Sequence, residues 1–204
     1  MIKNLLFDFG DVFINLDKKA PELALAKMGI RAIDADMNRW HNSYEKGLIT
    51  TEALIANYLD KFPSLTKISF TTAWNSIILD FPQHRLDWLM ELKQQGKYRL
   101  FLLSNTNDLH IEQVIKNMGA LRYSQFQNCF ERFYLSQQIN LRKPDLEIYD
   151  YVIEENKLVA EETFFIDDTI LNTAAAASMN MKTWHLEPGQ DDITQLFTTK
   201  KQYF

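Results

Sequence analysis

Five short apolar runs punctuate the chain, and each gives way to polar residues. Ile2 to Phe7 stops at Asp8-Phe9-Gly10-Asp11, which reads as a buried strand emptying into a loop. Between Lys18 and Gln95 the spacing turns helical. Leu23, Leu25, Ala26 and Met28 lead to a stop at Gly29. Thr50 or Thr51 can cap a helix through Ala53, Leu54, Ala56, Tyr58 and Leu59, with Glu52 in its first turn and Pro63 closing it. Another helix is predicted over about Phe70 to Leu79. Pro82 then opens one that carries Leu86, Trp88, Leu89, Met90 and Leu92 and closes at Gly96.

Strand signals return after Gly96. Tyr98 to Leu103 ends at Ser104-Asn105-Thr106-Asn107, followed by a helix from about Asp108 to Met118 that Gly119 stops. Phe130 to Leu135 is a third strand, and Pro144 opens a helix through Leu146, Ile148, Tyr149 and Val152. Thr163 to Ile166 is a fourth strand ending at Asp167-Asp168. An alanine-rich helix spans Asn172 to Met179, and Lys182 to Leu186 is a fifth strand. Strands alternating with helices predict an α/β fold: a doubly wound parallel sheet with helices on both faces. The helical stretch from about Lys18 to Asp80 interrupts this alternation and reads as an insertion. The expected division is a core of residues 1–16 and 81–204 around a small helical cap of residues 17–80.

Composition narrows the function classes. With 22 Lys plus Arg against 27 Asp plus Glu, the 204-residue chain carries a net charge of −5, so no broad basic face for nucleic acid is expected. Hydrophobic residues make up 46%, enough for a sizeable core. The strongest apolar runs, such as Leu100 to Leu103, fall far short of a membrane span. Asp8 follows Leu5, Leu6 and Phe7 too soon for a signal-peptide core. The single cysteine, Cys129, suits a reducing compartment. A cytoplasmic protein is expected.

The chemistry lies in where the polar residues fall. Asp8, Ser104 and Asp167-Asp168 each follow a short apolar strand, and in open parallel sheets ligands bind outside the carboxyl ends of the strands. Lys143, just before the helix that Pro144 opens, can add a cation there. Taken singly, each is an ordinary turn or cap residue. The pair Asp167-Asp168 is less ordinary, because adjacent carboxylates repel unless a cation or hydrogen bonds hold them.

In this order and spacing the clusters resemble the haloacid dehalogenase-like (HAD) hydrolases, in the branch with a small helical cap after the first strand. The matching segments are Leu5-Leu6-Phe7-Asp8-Phe9-Gly10-Asp11-Val12, Leu102 to Asn107, Leu141-Arg142-Lys143-Pro144-Asp145, and Phe164 to Thr169 with Asn172 beyond. Tyr44 to Thr50 and the region of Trp74-Asn75 are similar to cap segments of glucose-1-phosphatase-like members. The resemblance implies a Mg²⁺-dependent phosphomonoesterase for a small phosphorylated metabolite such as a sugar phosphate, working through an aspartyl-phosphate on Asp8. It further implies that Asp8, the Gly10 carbonyl and Asp168 hold the metal, with Asp167 coordinating through water or orienting the site. Ser104 and the backbone N–H of Asn105 would bind phosphate oxygens, Lys143 would neutralise Asp8 and the phosphate, and Asn172 would support them.

One position departs from that pattern. Phosphatases of the family usually carry an acid two residues after the nucleophile, and here that residue is Gly10. Asp11 either replaces the acid or forms a turn. Two other functions stay open: a dehalogenase, in which the aspartate attacks carbon without a metal, and a non-catalytic binding protein on the same fold. His41, His84, His110 and His185 lack metal-ligand spacing and read as ordinary surface or helix residues. Trp40, Trp74 and Trp88 read as packing residues, and Cys129 as part of the core.

Overall fold

A computed structural model describes all 204 residues. The elements run β1 (Asn4–Phe7), α1 (Ala20–Lys27), α2 (Ala35–Glu45), α3 (Thr51–Lys61), α4 (Lys67–Asn75), α5 (Gln83–Gln95), β2 (Arg99–Ser104), α6 (Asp108–Met118), α7 (Ala120–Gln127), β3 (Arg132–Leu135), α8 (Ser136–Ile139), α9 (Leu146–Asn156), β4 (Thr163–Asp167), α10 (Ile170–Ser178), β5 (Lys182–His185) and α11 (Leu196–Thr199). All four strand pairings are parallel. The order β3-β2-β1-β4-β5 puts β1 at the centre. The chain builds outward from β1 on one side and then crosses to the other, so the strand order reverses between β1 and β4. That reversal opens a crevice at the carboxyl ends of these two strands.

Successive side chains of a strand point to opposite faces, and the two faces are covered separately. Leu5, Phe7, Leu100, Leu102, Phe164 and Ile166 pack with Leu86 and Leu89 of α5, Val114 of α6 and Phe126 of α7. Leu6, Phe101, Leu103 and Phe165 pack with Ile148 and Val152 of α9 and Ala176 of α10. The three inner strands β1, β2 and β4 are therefore apolar on both sides, which is why the sequence shows continuous apolar runs there, while the edge strands β3 and β5 begin on exposed Arg132 and Lys182.

Helices α1 to α4 form a block with its own apolar cluster, centred on Met37, Tyr44, Leu54, Tyr58, Phe70 and Trp74 and joined by Leu109 of α6. The chain leaves β1 and returns to α5 along one paired path. The Asp17 amide donates to the Ile77 carbonyl at 2.9 Å, Leu79 to Asn15 at 3.1 Å, and Asn15 to Asp80 at 2.9 Å. This pairing ends α4 at Asn75, earlier than the expected Leu79. It begins earlier too, because Thr66 and Ser69 cap each other at its start.

Four helices absent from the sequence expectation also appear: α2, α7 and the single turns α8 and α11. In α2 only Met37 and Tyr44 are fully buried among polar neighbours, and in α7 only Phe126 is, so the periodic signal is thin. Strands β2 and β4 each run one residue further than expected. Ser104 pairs with Leu135 and Asp167 with His185 in the ladders, so these two polar residues are the last of their strands and not the first of the loops.

Candidate active site

The turn after β1 is built by its polar residues. The Asp8 amide donates to the Ile166 carbonyl at 2.8 Å, carrying the β1–β4 ladder one step past the strand. Asp11 sits at φ 55°, a left-handed conformation that Asp and Asn tolerate better than most residues. Its amide donates to the Ile14 carbonyl at 2.7 Å, its Oδ1 accepts from the Leu16 amide at 3.0 Å, and its Oδ2 pairs with Lys18 at 3.0 Å. Both carboxylate oxygens of Asp11 are thus engaged in shaping the loop.

Lys143 stands at the centre of the crevice and is 1% exposed. Its ammonium donates three hydrogen bonds of 2.7 Å, to Asp8 Oδ1, Asp167 Oδ2 and the Leu103 carbonyl. Three donors meet three acceptors, so the buried cation is fully satisfied. Asn105 braces the lysine backbone from both sides: its Nδ2 donates to the Lys143 carbonyl at 2.8 Å, and its Oδ1 accepts from the Lys143 amide at 2.9 Å. The side chain of Asn105 therefore positions Lys143 and leaves only its backbone to face a ligand.

The two adjacent aspartates have separate surroundings. Asp167 is 0% exposed and saturated. Besides Lys143 it accepts from the Thr169 amide at 2.8 Å and from Asn172 Nδ2 at 3.0 and 3.1 Å. Asn172 is anchored in turn, its carbonyl accepting from the Tyr149 hydroxyl at 2.9 Å. Asp168 lines the cavity and pairs with the exposed Lys18 from the loop beyond β1, which covers it. His185 on β5 donates to the Asp168 carbonyl at 2.9 Å.

The oxygens of Asp8, Asp167 and Asp168 lie within 4.8 Å of one another. Burial pushes the Asp8 carboxyl up to about 7 against the pull of Lys143, and the charges of Asp167 and Asp168 add to the rise. Burial would lower the Lys143 pKa, but Asp167 and Asp8 outweigh it and hold the ammonium above its ordinary value. An all-oxygen donor set with excess negative charge fits a hard divalent cation such as Mg²⁺.

A cavity of about 420 Å³ brings together Asp8, Gly10, Lys143, Asp168 and Asn172 with Lys18, Glu45 and Arg142. Ser104 and Asn105 line a smaller one of about 120 Å³ that shares Gly10, Leu16, Glu45 and Asn105 with the first. The sequence-derived residues thus converge, except that Asp11 and Asp167 stay behind the cavity walls. Three charged residues of the cavity were given no role by the sequence: Lys18, and Glu45 and Arg142 within the matching segments. Each looks like an ordinary surface charge in sequence, and only the packing of α2 against the core turns Glu45 inward.

Comparison with known proteins supplies the family. The sequence profile of the haloacid dehalogenase-like hydrolases matches residues 2–180. The chain belongs to this family. Among HAD relatives, a D-ribitol-5-phosphate phosphatase of Bacteroides thetaiotaomicron is 26% identical over 94% of this chain and 95% of its own. A glyceraldehyde 3-phosphate phosphatase of Methanocaldococcus jannaschii is 28% identical over 83% of this chain and 78% of its own. The crystal structure of a HAD enzyme from Bacteroides thetaiotaomicron, solved as a magnesium complex, superposes with a TM-score of 0.83 at 36% identity, covering 93% of this chain and 96% of that one. An alanine variant of that HAD enzyme was solved with magnesium and inorganic phosphate, and superposes with a TM-score of 0.81 at 33% identity, covering 94% of this chain and 96% of that one.

Proposed function

We propose that this HAD hydrolase is a Mg²⁺-dependent phosphomonoesterase of a small phosphorylated metabolite, a sugar or polyol phosphate. The observation that carries the reading is Lys143, whose ammonium joins Asp8 and Asp167 in one buried crevice beside Asp168. A dehalogenase needs no such collection of carboxylates. The magnesium- and phosphate-bound relatives support the same choice.

In this reading Asp8 attacks phosphorus as the nucleophile. The bond from phosphorus to the alcohol oxygen breaks, the oxygen takes a proton from solvent as it leaves, and an aspartyl-phosphate remains. Water then attacks phosphorus, releasing inorganic phosphate and restoring Asp8. Lys143 holds Asp8 in place and offsets its charge as the phosphate approaches, while Ser104 and the Asn105 amide donate to phosphate oxygens. Asp8, the Gly10 carbonyl and Asp168 are the residues that would hold Mg²⁺, with Asp167 orienting Lys143 behind them. The bound ion supplies positive charge that screens nucleophile and phosphate from each other. Gly10 has no proton to give and Asp11 is committed to its turn, so the ~10²–10⁴-fold that a general acid contributes is expected to be reduced for basic leaving groups. Residues 17–80 form the cap over a core of residues 1–16 and 81–204, supported by the separate apolar cluster of α1 to α4.

The test is a Mg²⁺-supplemented panel of sugar, polyol and other small-molecule phosphates, with Asp8→Asn as the blank. Release of phosphate from at least one polyol or sugar phosphate is expected from the parent alone. Equal turnover by the blank would end the nucleophile assignment.

A further inference from the structure

The cap places one carboxylate in the crevice that the phosphoryl chemistry does not use. Glu45, the last residue of α2, lines both the 420 Å³ cavity that holds Asp8, Lys143 and Asp168 and the 120 Å³ cavity beside it. The smaller cavity is walled largely by apolar side chains, among them Leu16, Ile77 and Ile78. Of the residues shared by the two, Glu45 alone has an ionisable side chain. Arg142, next to Lys143 in the chain, holds it from the core: Nε and the terminal nitrogen donate to Glu45 Oε2 at 3.1 and 2.8 Å. Both bonds end on Oε2, so Oε1 is left to accept from something else.

The chemistry of that acceptor is restrictive. In the phosphatase reading the phosphoryl end of a substrate must lie against Asp8, where Lys143 and the metal offset its charge, whereas the one cation at Glu45, Arg142, is already paired. The group that meets Glu45 is therefore in the alcohol part of the substrate. Arg142 already neutralises Glu45, so no second cation is required, and a carboxylate in an ion pair accepts hydrogen bonds without donating any. A neutral donor on a carbon chain satisfies all of this, and the simplest is a hydroxyl.

Building on the phosphatase reading, we propose that Glu45, held by Arg142, selects substrates with a polyhydroxylated leaving group by accepting a hydrogen bond from one of its hydroxyls at Oε1.

The test compares sorbitol 6-phosphate with n-hexyl phosphate. Both have six carbons and a primary ester oxygen, and the difference in basicity that the hydroxyls give the two alkoxides is the same in parent and variant, so the change in their ratio on substitution reports the contact with Glu45. The parent is expected to prefer the polyol ester. Because hydrogen bonds to charged groups are the stronger kind, Glu45→Ala should cut kcat/KM for the polyol ester about 10- to 100-fold, mainly through KM, and shrink the preference over the hexyl ester by the same factor. Turnover of p-nitrophenyl phosphate by the same variant shows that it folds. Glu45→Gln, which keeps the size of the side chain, takes its place if the alanine variant does not fold, and a smaller loss of the preference is then expected. An undiminished preference in a folded variant would overturn the proposal. So would an equal loss on all three esters, which would move Glu45 into the shared chemistry, or a parent preference for an aminoalkyl phosphate that Glu45→Ala removes. A parent that hydrolyses no phosphate ester at all would instead bring down the phosphatase reading, and this one with it.

Discussion

Lys143 shows how one residue can bind a site together. Its three hydrogen bonds reach the end of β1, β2 and β4 at once, so the cation is the pin that keeps Asp8 beside Asp167. Removing one member of a buried ion pair leaves an uncompensated charge and typically costs ~3–5 kcal/mol, whereas exposed pairs contribute little. Lys143→Met should therefore lower stability by roughly that amount in urea denaturation and eliminate turnover. Asp8→Asn should eliminate turnover at much smaller cost, because Lys143 keeps Asp167 and the Leu103 carbonyl. Equal midpoints for Lys143→Met and the parent would show that the lysine is not structural. Gly10 is the counterpart, a residue whose missing side chain matters. A Cβ there would lie 2.8 Å from Leu16 Cδ1, so Leu16 occupies the space into which an acid at this position would begin to grow.

At the scale of elements, the block α1 to α4 meets the core through aromatic and histidine contacts that the sequence presented as unremarkable. His41 of α2 pairs through Nε2 with the Tyr58 hydroxyl of α3 at 2.5 Å and packs edge-on against Trp74 of α4. Trp74 donates to Asn107 at 3.3 Å and stacks on His110 of α6. His110 accepts from Asn107 at Nδ1 and donates from Nε2 to the Trp74 carbonyl at 3.3 Å, which satisfies a neutral ring at both nitrogens. His110 is thus a helix residue as the sequence suggested, but it sits in the interface and not at the surface.

Burial pushes both histidines down to about 4. The folded pKa lies below the ordinary value of 6.5, so the unfolded chain takes up the proton first. Stability from the neutral ring is full above pH 6.5 and is lost as pH falls toward 4. Between pH 7 and 5 the His110 share of this loss is about 2 kcal/mol. His110→Gln, less stable than the parent at pH 7, should close the gap by about that much at pH 5 in urea titrations. A gap independent of pH would refute the buried neutral ring.

For the whole molecule, the order of strands decides where charge accumulates. With β1 at the centre and β4 beside it, Asp8, Asp167 and Asp168 are forced together, and only Lys143 and Lys18 oppose them. A chelator should therefore abolish phosphate release and Mg²⁺ restore it, while Ca²⁺, which tolerates irregular coordination, should substitute poorly. Asp168→Ala should raise the Mg²⁺ concentration needed for half-maximal rate far more than it lowers stability, since the side chain pairs only with the exposed Lys18 and its loss relieves repulsion from Asp8 and Asp167. Full turnover in chelator would exclude the metal from the reaction.

Much of this was legible along the chain. The five strands, the helical insertion and the polar clusters at the strand ends follow from periodicity and from Asp, Ser and Gly at the stops, because a strand buried on both faces must be apolar throughout and can turn polar only where it ends. Asp8, Ser104 and Asp168 could be named as candidates for the same reason, and Lys143 from its place before Pro144 and the family resemblance. The tertiary structure decided what periodicity does not encode: which strand lies beside which, that Lys143 serves Asp8 from 135 residues away, that Asp11 spends both oxygens on its own loop, and that Glu45 meets Arg142 over the crevice. A hydrophobic pattern tells each side chain which face to bury. Packing alone assigns it a neighbour, and the chemistry of a site is made of neighbours.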